Sequence, residues 1–280
     1  MILNGKKVRD ILAERIQVNL QKFKVQPKLV IIQIGNNPAS SVYIEQKKKF
    51  GEKFGFLIEH VHVKENISEK SIVLKIKKLN SDTKVHGIIV QLPLPKNINP
   101  RKIIEAIDPK KDVDGLHSQN LTKLMTSDAS GFLPATTKGI LSLLDFYKIP
   151  IAGKKVTVVG RSLLVGAPTA LAFLNRDATV TICHSKTKHL QEEVKRADIV
   201  VVAIGRAKFI KKSFVRKGQI IIDVGINRID GKIFGDVDFV PVSEIVKAIT
   251  PVPGGVGPMT VASLFQNVLL AYKRHRKNML

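Results

Sequence analysis

Short apolar runs rich in valine and isoleucine, several of them ending in glycine, alternate along this chain with segments of helical periodicity. The run KLVIIQIG at residues 28–35 is the first example, and DIVVVAIG at residues 198–205 is a later one. Such runs are typical of buried strands, and their alternation with helices predicts parallel sheets. One series of this kind precedes Pro134 and a second follows it. We therefore expect an α/β protein with two domains.

The spacing of the apolar residues predicts individual elements in both series. The predicted helices span residues 5–23, 40–54, 68–79, 138–147, 190–196 and 261–274. The predicted strands span residues 28–35, 57–63, 87–95, 154–160, 178–185, 198–205 and 219–227. The second sheet is already covered by its own helices, so the apolar face of the last helix must be buried elsewhere. We therefore expect this helix to pack back on the first domain.

The composition is that of an ordinary globular protein, with 44% hydrophobic and 25% charged residues. The single cysteine, Cys183, excludes an internal disulfide and fits a reducing cytosol. No apolar run of about 18 residues occurs, and the first residues are charged where a signal peptide would be apolar. We expect no metal site, because His60 and His62 share a strand face but no third ligand is spaced to join them.

The chain is strongly basic, with 46 Lys and Arg against 23 Asp and Glu and a formal charge of +23. Such a charge attracts anions of every kind, including nucleic acids and polyanionic small molecules. The basic residues are scattered in pairs and triplets, and only 5% of the residues are aromatic. Because bases need aromatic side chains on which to stack, nucleic-acid binding is the less favoured interpretation.

The stretch KKVTVVGRSLLVGAPTA, from Lys154 to Ala170, indicates a nucleotide-binding turn. Two glycines, Gly160 and Gly166, bracket a short turn before a helix, and amides at a helix start can hold a phosphate. The next strand ends in CHSK, residues 183–186, with no carboxylate for the ribose hydroxyls of NAD. A neutral or basic end favours NADP, with Arg161 and Ser162 facing its additional phosphate. The alternative is that Arg161 is a surface charge beside an ordinary turn.

Polar residues near three strand ends of the first domain suggest chemistry. Tyr43 and Lys47 lie four residues apart and so share one helix face. Gln91 closes the run GIIVQ, and Asp114 lies in the loop DPKKDVDGLH. If they converge, these groups can position a polar heterocycle and move a proton. A further loop, TPVPGGVGPMT at residues 250–260, is rigid enough for its backbone to approach a flat ring.

Taken together, these stretches closely resemble the bifunctional methylenetetrahydrofolate dehydrogenase/methenyltetrahydrofolate cyclohydrolase family. The matching stretches cover nearly the whole chain in order: NGK, NPASSVYIEQK, GIIVQLPLP, KDVDGLH, VVGRSLLVGAP, CHSKT, DVGIN, GDV and TPVPGGVGPMT. The resemblance implies a folate-binding catalytic domain of residues 1–136 plus 259–280 and a Rossmann-like NADP-binding domain of residues 137–258. It also implies that folate binds in a cleft between the two domains.

The resemblance also implies roles for particular residues. The implied catalytic residues are Tyr43, Lys47, Gln91 and Asp114. The implied folate contacts are Tyr43, Gln91, Leu92, Asp114, Pro253, Gly254 and Gly255. The implied NADP contacts are Gly160, Arg161, Ser162, Gly166, Ser185 and Ile226.

The activity that the resemblance implies is oxidation of 5,10-methylenetetrahydrofolate with NADP, followed by hydrolysis to 10-formyltetrahydrofolate. Some relatives lack the catalytic lysine and only dehydrogenate, whereas this chain has Lys47, so we expect both activities. We also expect a cytoplasmic homodimer that pairs through the cofactor domain, and a folate that is polyglutamylated. The alternatives are a shikimate-type NADP dehydrogenase on the same fold and a basic nucleic-acid-binding protein.

One stretch departs from the family pattern. Relatives usually have proline, cysteine, threonine and proline here, whereas this chain has Pro134-Ala135-Thr136-Thr137 before Lys138 and Gly139. The missing cysteine and second proline predict a less rigid loop, although neither is a catalytic group of the family.

Overall fold

The structure is a computed structural model that describes residues 1–277, except for the side chain of residue 39. The chain divides into two compact units. The five-stranded unit comprises Met1–Asp10 and Thr136–Thr260, and the three-stranded unit comprises Ile11–Ala135 and the chain from Val261 on. Of the helices in residues 1–277, none combines the length and the hydropathy that a bilayer crossing requires.

The three-stranded unit is a small parallel sheet covered by helices. Its strands are β1 (Lys28–Ile34), β2 (Leu57–Val63) and β3 (Gly87–Val90), in the order β2-β1-β3. Its helices are α2 (Pro38–Lys53), α3 (Glu69–Ser81), α4 (Pro100–Glu105) and α5 (Ser118–Met125). Two further helices, α1 (Gly5–Leu20) and α10 (Val256–Lys277), contribute most of their residues to this unit.

Both faces of this sheet are buried, which explains why β1 has a continuous apolar sequence rather than an alternating one. Leu29 of β1 belongs to one core cluster together with Phe265 of α10. Its neighbour Val30 belongs to a second cluster with Ile72 of α3 and Ile103 of α4. The prediction that the last helix packs on the first series of elements is therefore confirmed.

The five-stranded unit has a parallel sheet in the order β10-β7-β6-β4-β5. Its strands are β4 (Lys155–Val159), β5 (Thr179–Cys183), β6 (Ile199–Val202), β7 (Ile220–Asp223) and β10 (Ala248–Ile249). Its helices are α6 (Ala135–Phe146), α7 (Gly166–Leu174), α8 (Leu190–Arg196) and α9 (Phe239–Ser243), with a short 3₁₀ turn at Lys212–Phe214. A separate antiparallel hairpin pairs β8 (Asn227–Ile229) with β9 (Lys232–Phe234).

Most predicted elements lie within a few residues of the observed ones. The predicted strand at 87–95 is too long, since β3 ends at Val90 before Pro93 and Pro95, which cannot donate to a ladder. The predicted helix at 261–274 is too short, since α10 already begins at Val256. The assignment of folate binding to residues 1–136 plus 259–280 and of NADP binding to residues 137–258 stays a prediction.

The segment that departs from the family pattern forms the start of a helix. Ala135 is the first residue of α6 and is 2% exposed. Thr137 is fully buried, and its hydroxyl lies 3.0 Å from that of Thr169 on α7, which is equally buried. Thr137 stands where relatives have proline, and its buried hydroxyl finds a hydrogen-bond partner in the hydroxyl of Thr169.

Candidate active site

Lys47 and Gln91 meet at the carboxyl end of the three-stranded sheet, as predicted. Gln91 directly follows β3, and its backbone amide donates to the Ile32 carbonyl at 2.8 Å. Lys47 lies on α2, and its Nζ donates to Oε1 of Gln91 at 2.9 Å. The amide nitrogen of Gln91 donates in turn to the Leu92 carbonyl at 2.8 Å. The glutamine is thereby fixed with its oxygen toward the lysine amine.

Burial perturbs Lys47 and Asp114 in opposite directions. Removal from water lowers the pKa of Lys47, and the nearby carboxylate of Asp114 partly opposes this effect. Burial likewise raises the pKa of Asp114, while the positive charge of Lys47 lowers it. The amine of Lys47 therefore releases its proton more readily than usual. The carboxyl group of Asp114, which interacts with it, holds its proton more tightly than usual.

A buried carboxylate next to Asp114 shapes the loop that carries it. Asp112 is 1% exposed and accepts hydrogen bonds from the backbone amides of Gly115 at 3.2 Å and His117 at 2.8 Å. It also accepts from the Asn120 side chain at 2.8 Å. Asp112 lies in the loop DPKKDVDGLH, but no role was predicted for it.

Asn267 of α10 holds the same loop from the other side. Its side-chain amide donates to the carbonyls of Val113 and Leu133, both at 2.9 Å. Val113 directly precedes Asp114, so this helix fixes the backbone that positions the carboxyl group. Sequence reasoning missed Asn267, because one polar residue within a helical apolar pattern carries no signal of its own.

Tyr43 and Leu92 complete the residues of this unit that the sequence singled out. Tyr43 is half-buried on α2, one turn before Lys47, as their spacing predicted. The Leu92 carbonyl also accepts from the hydroxyl of Ser40, at 3.4 Å. This contact joins the start of α2 to the segment that follows β3.

The turn after β4 is too tight to admit side chains at its two glycines. Gly160 has a φ of +123°, and a Cβ there would collide with the Ala203 carbonyl. A Cβ at Gly166 would collide with the backbone of Gly160. The Ser162 hydroxyl accepts from the amides of Val165 and Gly166, at 3.2 and 3.3 Å, and so supports the start of α7.

The residues predicted to hold the NADP phosphate lie beyond two adjacent strands. Val159 of β4 and Cys183 of β5 are register partners, so Arg161 and Ser185 each follow this pair by two residues. Both side chains are exposed. Gly160 donates its amide to the Cys183 carbonyl at 2.9 Å, which holds the two turns together. A glycine-lined helix start beside a basic and hydroxyl-bearing edge fits a phosphorylated dinucleotide.

The loop before α10 is tied to the beginning of the chain. Gly254 has a φ of +111°, and its carbonyl accepts from the amides of Gly5 at 2.9 Å and Lys6 at 3.2 Å. Gly255 leaves no room for a Cβ at Gly5. Pro253 is exposed beside them. The rigidity predicted from the glycines and prolines therefore has a physical basis in this backbone contact.

Ile226 is the remaining residue predicted to contact NADP. It follows β7 by three residues and is 42% exposed. Its Cδ1 would lie 3.9 Å from a Cβ built at Gly257, near the start of α10. Its role stays a prediction.

Two buried aspartates that the sequence analysis left without a role organise the carboxyl edge of the five-stranded sheet. Asp223, at the end of β7, is 3% exposed and accepts from the amides of Gly225, Asp236 and Val237, each at 2.9 Å. Burial is the largest effect on this carboxyl group and raises its pKa to about 7.

Asp236 is fully buried and holds the turn after β6. Its carboxylate accepts from the amides of Ile204 at 2.7 Å, Gly205 at 2.9 Å and Arg206 at 2.7 Å. Asp223 and Asp236 together fix the turns that follow two neighbouring strands. Both residues lie within the family motifs DVGIN and GDV, but motif spacing does not reveal that they are buried.

His60 and His62 each form a hydrogen bond to another group of the protein. Nε2 of His60 lies 3.0 Å from the side-chain oxygen of Gln33, and Nε2 of His62 lies 3.0 Å from the Gly35 carbonyl. Their rings stack with centroids 5.8 Å apart. Within residues 1–277, no group of three or more His, Cys, Asp or Glu side chains is arranged to hold a metal ion.

The fold and the site define an α/β dehydrogenase. One unit is suited to a dinucleotide, and the other carries a half-buried lysine that interacts with a glutamine and an aspartate. Profiles of two domain families match the chain. Residues 3–114 match the tetrahydrofolate dehydrogenase/cyclohydrolase catalytic domain, and residues 134–276 match the NAD(P)-binding domain of the same proteins. The chain therefore belongs to the tetrahydrofolate dehydrogenase/cyclohydrolase family, which confirms the resemblance seen in the sequence.

Individual relatives agree with this assignment over the full length. The bifunctional protein FolD of Acholeplasma laidlawii is 48% identical, over 99% of this chain and 100% of its own. The crystal structure of the bifunctional enzyme FolD from Campylobacter jejuni has a TM-score of 0.96 at 42% identity, covering 98% and 99% of the two chains. The Trypanosoma brucei enzyme, complexed with NADP cofactor and inhibitor, has a TM-score of 0.91 at 32% identity, covering 98% and 97%.

Proposed function

We propose that this chain oxidises 5,10-methylenetetrahydrofolate to the methenyl form with NADP and hydrolyses that product to 10-formyltetrahydrofolate. The observation that carries this proposal is the hydrogen bond of 2.9 Å from Lys47 Nζ to Gln91 Oε1, formed where Asp114 acts on the same amine. The product would supply one-carbon units for purine and formyl-methionine synthesis. Full-length similarity to FolD proteins disfavours a shikimate-type dehydrogenase and a nucleic-acid-binding protein.

Asp114 is the proposed anchor of the folate. A pterin edge offers a ring N–H and an exocyclic amine side by side, and one carboxylate can accept both hydrogen bonds. The loop around Asp114 is held by Asp112 and Asn267, so the acceptor is preorganised before the substrate arrives. Tyr43, Leu92 and the loop at residues 253–255 are the remaining proposed folate contacts.

The dehydrogenase step needs alignment rather than a protein acid. When bound, NADP supplies the nicotinamide that accepts a hydride from the methylene carbon. Arg161, Ser162 and Ser185 would hold the additional phosphate of the cofactor. Gly160 and Gly166 would let the backbone approach its pyrophosphate, because no Cβ stands in the way. Ile226, which is 42% exposed, would contact the cofactor through its apolar surface.

The hydrolysis step needs a group that moves protons, and Lys47 is the proposed one. Burial lowers the pKa of its amine, so a larger fraction is neutral and able to accept a proton from water. Gln91 orients the amine without adding charge. The positive charge of the methenyl substrate acts on the lysine in the same direction as burial.

The assembly and location are also proposals. Strand β5 is at one edge of the five-stranded sheet, and Ile182 on it is 43% exposed. An uncovered edge strand with an exposed apolar residue supports pairing with a second copy through this unit. The excess of positive charge supports a polyglutamylated folate as substrate. The single cysteine, which is free and buried, supports a reducing cytoplasm.

The Lys47→Met variant tests the proposed mechanism. The parent enzyme is expected to form NADPH from 5,10-methylenetetrahydrofolate and then to lose the methenyl absorbance. The variant should hydrolyse methenyltetrahydrofolate more slowly by about a hundredfold or more, the usual contribution of a general base. Folate binding, measured by calorimetry, should remain close to that of the parent because Asp114 is unchanged.

The neighbouring Lys48 provides the matched control. Its Nζ forms an ion pair of 3.0 Å with Glu45 at the surface of the same helix. Lys48→Met removes the same charge from α2 and should leave both reactions unchanged. Hydrolysis at the parent rate by Lys47→Met would show that the lysine assignment is wrong.

A further inference from the structure

A cavity lies at the opposite end of the three-stranded sheet from Lys47. It has a volume of about 390 Å³ and is lined by His86, which precedes β3, whereas Gln91 follows that strand. The four residues of β3 separate the two ends by about 13 Å. Loop residues 108–111, helix α5 and the last turns of α10 form the other walls. A cavity of this volume is large enough for a small metabolite.

The lining of this cavity is strongly cationic. Four side chains that carry positive charge line it, and Asp108 is the carboxylate among its lining residues. The four are Lys110, Lys111, Lys123 and Arg274. These like charges repel one another across a confined space, where the interaction is stronger than in bulk water, and Asp82 and Asp108 oppose part of the charge of Lys111.

One of these charges is built into the protein. Lys111 is only 8% exposed, and its Nζ donates to the carbonyls of Leu79 at 3.1 Å, Asn80 at 2.7 Å and Asp82 at 2.7 Å. These bonds fix the ammonium group in place without neutralising it. Its charge therefore adds to the field in the cavity while its hydrogen-bond donors are already used.

Two other cations are available to a ligand. Asp128 acts electrostatically on both Lys123 and Arg274, but within residues 1–277 neither cation forms an ion pair of 4.0 Å or less. The guanidinium of Arg274 lies over the Phe132 ring at 4.8 Å, which holds the group at the cavity wall. Its hydrogen bond to the Ala129 carbonyl is long, at 3.5 Å. Both side chains can therefore donate to an anion at little cost in existing contacts.

His86 adds a neutral donor. Its Nδ1 accepts from the Lys28 amide at 3.0 Å, so the proton of the neutral ring resides on Nε2. Burial, together with His275 and Lys111, lowers the pKa of His86 to about 4, which keeps the ring neutral at physiological pH.

We propose that this cavity binds a small polyanion through Lys123 and Arg274, in the field of Lys110 and Lys111. The ligand carries at least two negative charges, on phosphate or on carboxylate groups. Binding of this ligand offsets the repulsion among the lining cations. Lysines at the exposed surface repel one another less, because bulk water screens their charges.

Calorimetric titration of the whole chain tests this proposal, with pyrophosphate as the phosphate probe and citrate as the carboxylate probe. At least one should bind the parent protein, with an affinity that falls as chloride is raised. Binding of pyrophosphate alone would identify phosphate as the ligand chemistry, and binding of citrate alone would identify carboxylate. Binding of neither probe would overturn the proposal.

Single substitutions locate the bound anion. Lys123→Gln and Arg274→Gln should each weaken binding by about tenfold or more, because each removes a charge-assisted hydrogen bond. Lys75→Gln removes an exposed charge elsewhere on the same unit and should leave the affinity unchanged. Equal affinity in the parent and in both cavity variants would contradict the assignment.

Histidine ring signals in an NMR titration provide a readout that needs no variant. His86 and His275 line the cavity, whereas His184 and His189 follow β5 near the proposed NADP phosphate site. Pyrophosphate or citrate should shift the signals of the first pair. Shifts confined to the second pair would place the anion at the nucleotide edge and overturn the proposal, while leaving the proposed enzymatic function untouched.

Discussion

The raised pKa of Asp223 predicts that the five-stranded unit loses stability as the pH rises toward neutrality. In the folded chain this pKa is about 7, against an ordinary value of 3.8. Between these two values the folded state binds a proton at Asp223 that the unfolded state has released. The contribution of this group is therefore fully present below pH 3.8 and is lost as the pH rises to about 7.

The size of the effect follows from the proton linkage. Each pH unit in this interval changes the free energy of unfolding by about 1.4 kcal/mol. Between pH 5 and pH 7 the loss is about 2 kcal/mol, because Asp223 is half ionised at pH 7, and about 0.4 kcal/mol more is lost at higher pH. Solvent screening does not reduce this free energy appreciably, because only 3% of Asp223 is exposed.

Asp223→Asn isolates this contribution, because asparagine does not titrate. The amide group cannot accept at both positions, so one of the amides of Gly225, Asp236 and Val237 loses its partner. That loss costs about 1–3 kcal/mol at every pH. The difference in stability between parent and variant should therefore shrink by about 2 kcal/mol from pH 5 to pH 7.

Urea denaturation at a series of pH values, followed by circular dichroism, measures this difference. A titration of the carboxyl carbon of Asp223 by ¹³C NMR gives its pKa directly. Asp230→Asn, in the exposed turn between β8 and β9, is the matched control and should differ from the parent by a constant amount. If the parent and Asp223→Asn differed by the same amount from pH 5 to pH 8, the three amide hydrogen bonds would outweigh burial and the reasoning would be wrong.

Two further predictions concern the substrate and the cofactor. Asn267→Leu leaves the carbonyls of Val113 and Leu133 without their donor, and we expect a stability loss of about 2 kcal/mol together with a raised KM for the folate, measured by steady-state kinetics. An unchanged KM for the folate in Asn267→Leu would refute the positioning role of this side chain. Arg161→Ala should raise the KM for NADP by about tenfold while changing that for NAD little, and equal effects on both cofactors would contradict the phosphate assignment.

The arrangement of strands and helices could be predicted from the sequence because both sheets have continuous apolar strands bounded by glycine or proline. The strand at Leu57–Val63 and the helix at Leu190–Arg196 have the predicted limits. The short helices α4 and α5 were missed, since six and eight residues are too few for helical periodicity to show. The strand β10 has two residues and depends on its neighbour β7.

The candidate site was predictable where its residues follow strand ends. Lys47 and Gln91 meet because α2 follows β1 and Gln91 follows β3, and these two strands are parallel neighbours whose carboxyl ends lie at the same edge of the sheet. Asp112, Asp223 and Asn267 could not be found in this way. Their importance comes from burial beside backbone amides and carbonyls of distant segments, and a single sequence does not encode those contacts in any local pattern.

Lys47 and Asp114 make the proposed hydrolytic site dependent on its substrate. In the free chain, the carboxylate of Asp114 raises the pKa of Lys47 and so opposes the effect of burial. In the proposed complex, Asp114 accepts two hydrogen bonds from the pterin, and its charge is then shared with the substrate rather than directed at the lysine alone. The opposing effect weakens, and the methenyl cation further disfavours the protonated amine. In this proposal, binding of the substrate to Asp114 would produce the neutral Lys47 that the hydrolysis of that same substrate requires.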